Sequence, residues 1–125
     1  EENLSKQKND NYNLLTEREK LIFLAGVFEG EGSFGFWSSG YKGKRYFGFT
    51  IKMTDKDIIE RFIEFFKLGR IEKAKVYKDH HKQAYVWRLT GKKAINVVLP
   101  LVPYLGIRRK EKFKECSQHY KLLHL

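Results

Sequence analysis

A single α+β domain, with an antiparallel sheet that carries its helices on one face, is the fold class predicted by the 125-residue sequence. Three observations predict it. A capped apolar segment of helical period begins at Thr16. A two-residue alternation runs through residues 45–54. The elements follow in the order helix, two strands, helix, two strands, one or two helices.

Residues 1–13 are polar and poor in aliphatic side chains, so residues 1–15 are expected to form a flexible arm ahead of one domain spanning 16–125. Thr16 and Glu19 have the spacing of a capping box, in which hydroxyl and carboxylate each satisfy a free backbone N–H. Leu21, Ile22, Leu24, Ala25 and Phe28 continue on helical spacing, and glycines accumulate where the helix should end, between Glu29 and Gly32. A strand is expected over 33–38, a turn over 39–43 and a second strand over 45–54. In the second, Phe47, Phe49, Ile51 and Met53 alternate with Tyr46, Gly48, Thr50 and Lys52, giving one apolar and one mostly polar face. Phe34 and Phe36 share the core face of the first. Thr54 or Asp55 caps a second helix with Ile58, Ile59, Phe62, Ile63 and Phe66 as its buried stripe, and Leu68-Gly69 ends it. A second strand pair is expected over 70–78 and 83–90. Tyr85, Trp87 and Leu89 share one face of its last strand, whereas residues 70–78 alternate poorly. A short helix over 92–102 has Pro100 near its end, Pro103 and Gly106 break the chain, and a basic helix begins near Arg108. The sheet face carrying Tyr46, Thr50, Lys52 and Arg88 is left for solvent or a ligand.

Lys and Arg number 25 against 15 Asp and Glu, a formal charge of +10. That balance favours a polyanionic partner, nucleic acid or an acidic membrane surface. The charge is uneven: net +9 over residues 33–93 and +4 over 107–125, but −2 over 16–32. An acidic segment inside a basic body suits a site that holds a cation beside a phosphate backbone. Cys116 is the only cysteine, which excludes an intrachain disulfide and suits a reducing compartment. Cys116, His119 and His124 have loose spacing for zinc, and a packed or surface helix explains them better. No apolar run approaches a membrane span, and no signal-peptide core is present.

The sharpest local feature is Glu29 and Glu31, set among glycines at the end of the first helix. Acids there face the negative end of the macrodipole, at a cost of about 0.3–1 kcal/mol each. Two of them call for a compensating positive charge, and a divalent metal ion would supply it.

The stretch Leu24-Ala25-Gly26-Val27-Phe28-Glu29-Gly30-Glu31-Gly32 resembles the signature of the LAGLIDADG homing endonucleases. Leu24, Ala25, Gly26 and Gly32 match outright, Val27 and Phe28 are apolar where the signature is, and Glu29 and Glu31 stand at its acidic positions. Ser33-Phe34 fits the usual continuation. The element order matches the family's αββαββα fold, so the resemblance covers residues 16–120. It implies a saddle-shaped sheet lying in the major groove of double-stranded DNA. It also implies a motif helix that is the subunit interface, through Leu24, Ala25, Gly26, Phe28 and Glu29. With one motif copy, it implies the single-motif branch, which acts as a homodimer on a pseudo-palindromic target.

By the same resemblance, Glu31 and the Gly30 carbonyl hold a catalytic Mg2+, and Glu31, Asp55 and Arg108 form the catalytic set, with Arg109 or Lys110 as substitutes for Arg108. Some relatives carry a further base early in the second helix, where this chain has Ile59, and Arg61 is the nearby cation. Trp37, Tyr46, Thr50, Lys52, Arg70, Glu72 and Arg88 are expected to read base edges. Lys42, Lys44 and Arg45 are expected to reach bases or phosphates, and Lys78, His80, His81 and Lys82 to contact phosphates. The implied activity is an intron-encoded, site-specific endonuclease making a double-strand break by magnesium-dependent phosphodiester hydrolysis. It would act on DNA within a prokaryote, a phage-infected cell or an organelle, with neither a membrane nor a small-molecule substrate. The alternative is a non-cleaving nucleic-acid-binding relative, an intron maturase or a transcription factor.

Overall fold

The first helix, α1, spans Glu17–Glu31 and starts with the expected capping box. The backbone N–H of Glu19 donates to the Thr16 hydroxyl at 3.2 Å, and the N–H of Thr16 donates to the Glu19 carboxylate at 2.8 Å. Donation from the Thr16 backbone N–H, and next from the Thr16 hydroxyl, favours the charged form and holds the Glu19 carboxyl below the usual glutamate range. The computed structural model describes residues 10–38, 43–76, 78, 79 and 81–124, with side chains described to residue 120. Lys42, His80 and most of the expected turn over 39–43 lie outside them.

Strand β1 (Gly32–Ser38) follows α1 without a loop and pairs antiparallel with β2 (Arg45–Met53) from Gly32 opposite Ile51 to Ser38 opposite Arg45. Helix α2 is Lys56–Phe66. Strands β3 (Glu72–Lys73) and β4 (Tyr85–Thr90) complete a four-stranded antiparallel sheet of order β1-β2-β4-β3. Helix α3 (Gly91–Leu101) contains Pro100, a 3-10 turn covers Val102–Tyr104, and α4 runs Ile107–His124.

The predicted alternation is obeyed. Phe34, Phe47, Phe49, Ile51 and Trp87 point to the helices and are buried with Leu24, Ala25, Phe28, Ile59 and Phe62, together with Val97, Val98 and Leu101 of α3. Trp87 is the centre of this aromatic layer. Its ring lies 4.7 Å from Phe49 and 5.5 Å from Phe62, and its indole N–H donates to the carbonyl of Leu68 at 3.0 Å, so the buried donor is satisfied. Cys116 also packs in this core, and burial pushes its thiol up, away from the thiolate that a metal would need. His119 stacks on Phe36 with ring centroids 4.6 Å apart. Among the described residues no helix is long and apolar enough to cross a membrane.

Three sequence expectations need correction. The strand expected over 70–78 is cut to two residues. Ala74, Lys75 and Val76 supply no alternating apolar face, and the Gln83 amide donates to the Ala74 carbonyl at 2.7 Å, taking the acceptor a longer ladder would use. The second helix ends at Phe66, two residues before Leu68, with Lys67 in the left-handed region (φ 55°). The arm does not extend to residue 15: Asn11–Leu14 form a 3-10 turn on the domain. Tyr12 is buried there, 5.6 Å from the Phe23 ring, with the Arg61 guanidinium 4.3 Å from its own ring centre, and Arg61 ion-pairs with Asp10. One aromatic among polar neighbours carries little periodic signal, yet it is enough to clip the segment down. Arg61 is thereby committed to this clip.

Gly69 has φ +79°, and a Cβ there would lie 2.6 Å from the Trp87 indole nitrogen. Gly69→Ala is therefore expected to lower unfolding free energy by more than about 1 kcal/mol, through both the left-handed backbone and displacement of the central ring. Urea unfolding followed by Trp fluorescence measures it.

Candidate nucleic-acid interface

Two helix ends meet beneath the edge of the sheet and cap each other. Arg109, in the first turn of α4, donates to the Gly32 carbonyl at the C-terminus of α1 at 2.8 Å. Its Nε lies 2.8 Å from the Glu29 carboxylate, an ion pair without aligned hydrogen-bond geometry. Glu29 in turn accepts from the Gly106 N–H, immediately before α4. A cation thus sits at the negative end of α1 and a carboxylate at the positive end of α4, the favourable sense in both cases. A Cβ on Gly106 would crowd Glu29 Oε1 at 3.2 Å, and one on Gly32 would run into the Phe28 ring of the same helix at 2.7 Å.

The positive charge that Glu29 called for is therefore Arg109, within the same chain. Glu31 is different. It is exposed and makes no ion pair or hydrogen bond among the described residues. Asp55 sits just before α2, and its side chain makes no capping bond. Arg108 is exposed beside the committed Arg109. The three come to one end of the sheet: Glu31 precedes Gly32, Gly32 pairs with Ile51 on the strand leading to Asp55, and Arg109 ties α4 to Gly32. Among the described residues no cluster of three or more His, Cys, Asp or Glu side chains forms a metal cage.

The outer sheet face is set by register. Ser33 opposite Thr50, Gly35 opposite Gly48 and Trp37 opposite Tyr46 face away from the helices, and Thr50 also opposes Arg88. Trp37 and Tyr46 are each 44% exposed. Trp37 lies across Gly48, where a Cβ would meet its ring at 2.9 Å, so the indole is laid flat on the sheet. Lys52 shares a cleft with Lys75, His81 and Lys82, and Arg70 shares another with Glu72, Arg88 and Lys93. The Arg88 Nε donates to Glu72 at 2.9 Å, so Glu72 contacts a neighbouring cation. Arg45 departs from expectation. It lies on the helix side, 5.7 Å from the Phe36 ring centre, and with Lys44 lines a cavity of about 740 Å3 near His119 and Lys92. As the first residue of β2 it takes the same parity as Phe47 and Phe49. Lys75 and Lys93 were not singled out from sequence, because their placement depends on where β3 stops and α3 begins.

No protein-family model matches the sequence, and no curated protein matches it. Solved structures do. The group I intron-encoded homing endonuclease I-CeuI, in complex with DNA, superposes with a TM-score of 0.65 at 18% identity over 85% of this chain. The LAGLIDADG meganuclease I-AabMI bound to uncleaved DNA gives 0.65 at 18% over 83%, and the LAGLIDADG homing endonuclease I-GzeII with its DNA target gives 0.62 at 22% over 83%.

The fold is that of the LAGLIDADG homing endonucleases.

This chain spans 56% of the I-CeuI chain and 36% of each of the other two. Within this LAGLIDADG fold the motif helix shows which of its residues have surface to offer. Leu24, Ala25 and Phe28, expected at a contact between two chains, are 0% exposed in their own core and offer no side-chain surface to a partner. The exposed stripe is Ile22, Gly26 and Gly30, spaced by four, and nothing lies within 4 Å of a Cβ built on either glycine. Glu29, half exposed, is committed to Arg109.

Arg109→Ala removes the cation from Glu29 and the donor from Gly32. A loss of about 2 kcal/mol in unfolding free energy is expected. A double-mutant cycle with Glu29→Ala should give a coupling above about 1 kcal/mol, and a coupling near zero would show that the two helix ends are held by other contacts.

Proposed function

We propose that this chain is a member of the LAGLIDADG family, of its single-motif branch, and works as a homodimeric, site-specific DNA endonuclease. The observation that carries the reading is the contrast between the two motif acids: Glu29 is neutralised by Arg109, whereas Glu31 is an exposed carboxylate with no partner among the described residues, beside a basic sheet face. The DNA present in the complexes of similarly folded chains supports duplex DNA as the partner.

Glu31 and the Gly30 carbonyl are oxygen donors of the kind that Mg2+ takes, and in this reading they hold it. The ion would polarise the phosphate and lower the pKa of the attacking water. One carboxylate and one carbonyl are too few ligands to hold the ion alone, and water, DNA phosphate and a second copy's Glu31 are oxygen donors that would add to them. Asp55 orients water at the same end of the sheet. Arg108, exposed and uncommitted, stabilises the negative charge that builds on the phosphorus oxygens, and as a guanidinium it keeps its proton while doing so. The outer face, with Trp37, Tyr46, Thr50, Lys52, Arg70 and Arg88, lies on the DNA, and Lys44 reaches phosphate from the hairpin end. The twofold axis runs along the Ile22–Gly26–Gly30 stripe, where the absence of side chains lets two helices approach closely.

The activity is tested by incubating the protein with a randomised duplex pool in magnesium or in calcium and sequencing the ends. Cuts at one pseudo-palindromic site in magnesium are expected, and Glu31→Gln should reduce them by at least about a hundred-fold. Sequence-specific binding without cuts under either ion would favour the maturase or transcription-factor reading instead.

Gly26→Leu separates the dimer from the fold. In the single chain the added side chain meets open space and improves helix propensity by about 1 kcal/mol, so thermal stability of the monomer should hold or rise. Sedimentation velocity should nevertheless show the dimer weakened. An unchanged dimer would place the interface elsewhere.

A further inference from the structure

The outer face of the sheet holds an ion pair between neighbouring strands. Arg88 stands on β4 opposite Thr50, and Glu72 reaches it diagonally from β3, whose Glu72 pairs with Val86. The bond uses the Arg88 Nε, 2.9 Å from Glu72 Oε2. An Arg has a planar fork of donors, and engaging Nε leaves the two terminal amino groups as a pair with one fixed direction. Among the described residues those groups have no other partner, and the Arg88 side chain is 65% exposed on the face left open by the fold.

We infer that Arg88, positioned by Glu72, reads a guanine in the major groove of the DNA target, once in each half-site. The inference rests on the DNA-endonuclease reading above and adds the base. Guanine alone presents two adjacent acceptors, O6 and N7, on its major-groove edge. Adenine sets its own amino donor against the fork, cytosine offers a donor, and thymine offers one acceptor beside a methyl group.

Glu72 is expected from sequence to read a base itself, and the structure assigns it a different task. Among the described residues it is the one acid lining a cleft whose cations are Arg70, Arg88 and Lys93. Facing phosphates, a carboxylate there weakens binding to duplex of any sequence. Its return is the alignment of Arg88: a side chain already held in one conformation loses less freedom when it meets the base. Glu72 is thus a positioning residue and a brake on indiscriminate binding. Thr50 stands directly opposite Arg88 and Glu72 one step off that row, opposite Val86, and among the described residues no ion pair holds Arg70 or Lys93 in the same way.

The test is enrichment of bound duplexes from a randomised pool in calcium, followed by sequencing, for the wild type, Arg88→Ala, Arg88→Lys and Glu72→Gln. The wild type should enrich a motif with guanine at one fixed position per half-site. Arg88→Ala should lower that preference by about ten-fold or more while neighbouring positions keep theirs. Arg88→Lys, which keeps the charge and loses both the planar fork and the Nε bond to Glu72, should weaken the guanine preference less than Arg88→Ala does. Glu72→Gln should blur that one position and raise binding to an unrelated duplex. If Arg88→Ala keeps the complete motif, Arg88 reads no base. If Glu72→Gln leaves the guanine preference unchanged, Glu72 positions nothing. No enriched motif from the wild type would bring down the site-specific DNA reading itself, and this inference with it.

Discussion

The mutual capping of α1 and α4 is the constraint on which the candidate site depends. Residues 77 apart in sequence meet there: Arg109 closes the C-terminus of α1 through Gly32, and Glu29 closes the N-terminus of α4 through Gly106. Each charge answers the dipole of the helix it faces and takes up one free backbone group at that end. Because β1 follows α1 with no loop, fixing this junction also fixes where the sheet begins and where Glu31 stands. One carboxylate is taken out of play structurally, and the other is delivered to solvent beside the strands. An acid two residues along a helix end turns by about 200°, so two neighbours at this spot cannot share a task.

The sheet divides the remaining chemistry. Its inner face is a continuous aromatic layer in which Trp87 touches Phe49, Phe62 and Phe66. Burial of that layer stabilises the domain without help from the outer face, which is left to carry polar and cationic groups. Glycine has a specific use there. Gly35 opposes Gly48, and the bare surface at Gly48 seats the Trp37 ring. At Gly35 the Lys112 ammonium lies 3.5 Å from where a Cβ would stand.

Much of this was legible in the residues. Thr16 and Glu19 announced the start of α1, because a capping box is local chemistry over four positions. The alternation from Tyr46 to Met53 announced β2 and its facing, because one buried face demands period two. The strand after Gly69 was not legible. Its residues lack alternation, and its length was decided by the Gln83 amide taking a ladder acceptor and by pairing with β4 alone. The 3-10 turn around Tyr12 was equally hidden, since a single ring finds its partners, Phe23 and Arg61, only after α1 and α2 have packed.

The fold class, the order of elements, the inner and outer faces of the sheet and the acidic motif at the end of the first helix are all readable from the residues. Each follows from periodicity or from short-range backbone chemistry. Tertiary structure alone decided what each motif residue faces. Leu24, Ala25 and Phe28 turn inward because they share an angular sector with the sheet, and Gly26 and Gly30 turn outward because they do not. It also decided that Glu29 belongs to Arg109, that Arg45 lies with the helices and that Glu72 belongs to Arg88. Those pairings join positions far apart in the chain, and a local pattern carries no record of which distant charge will be brought within 3 Å.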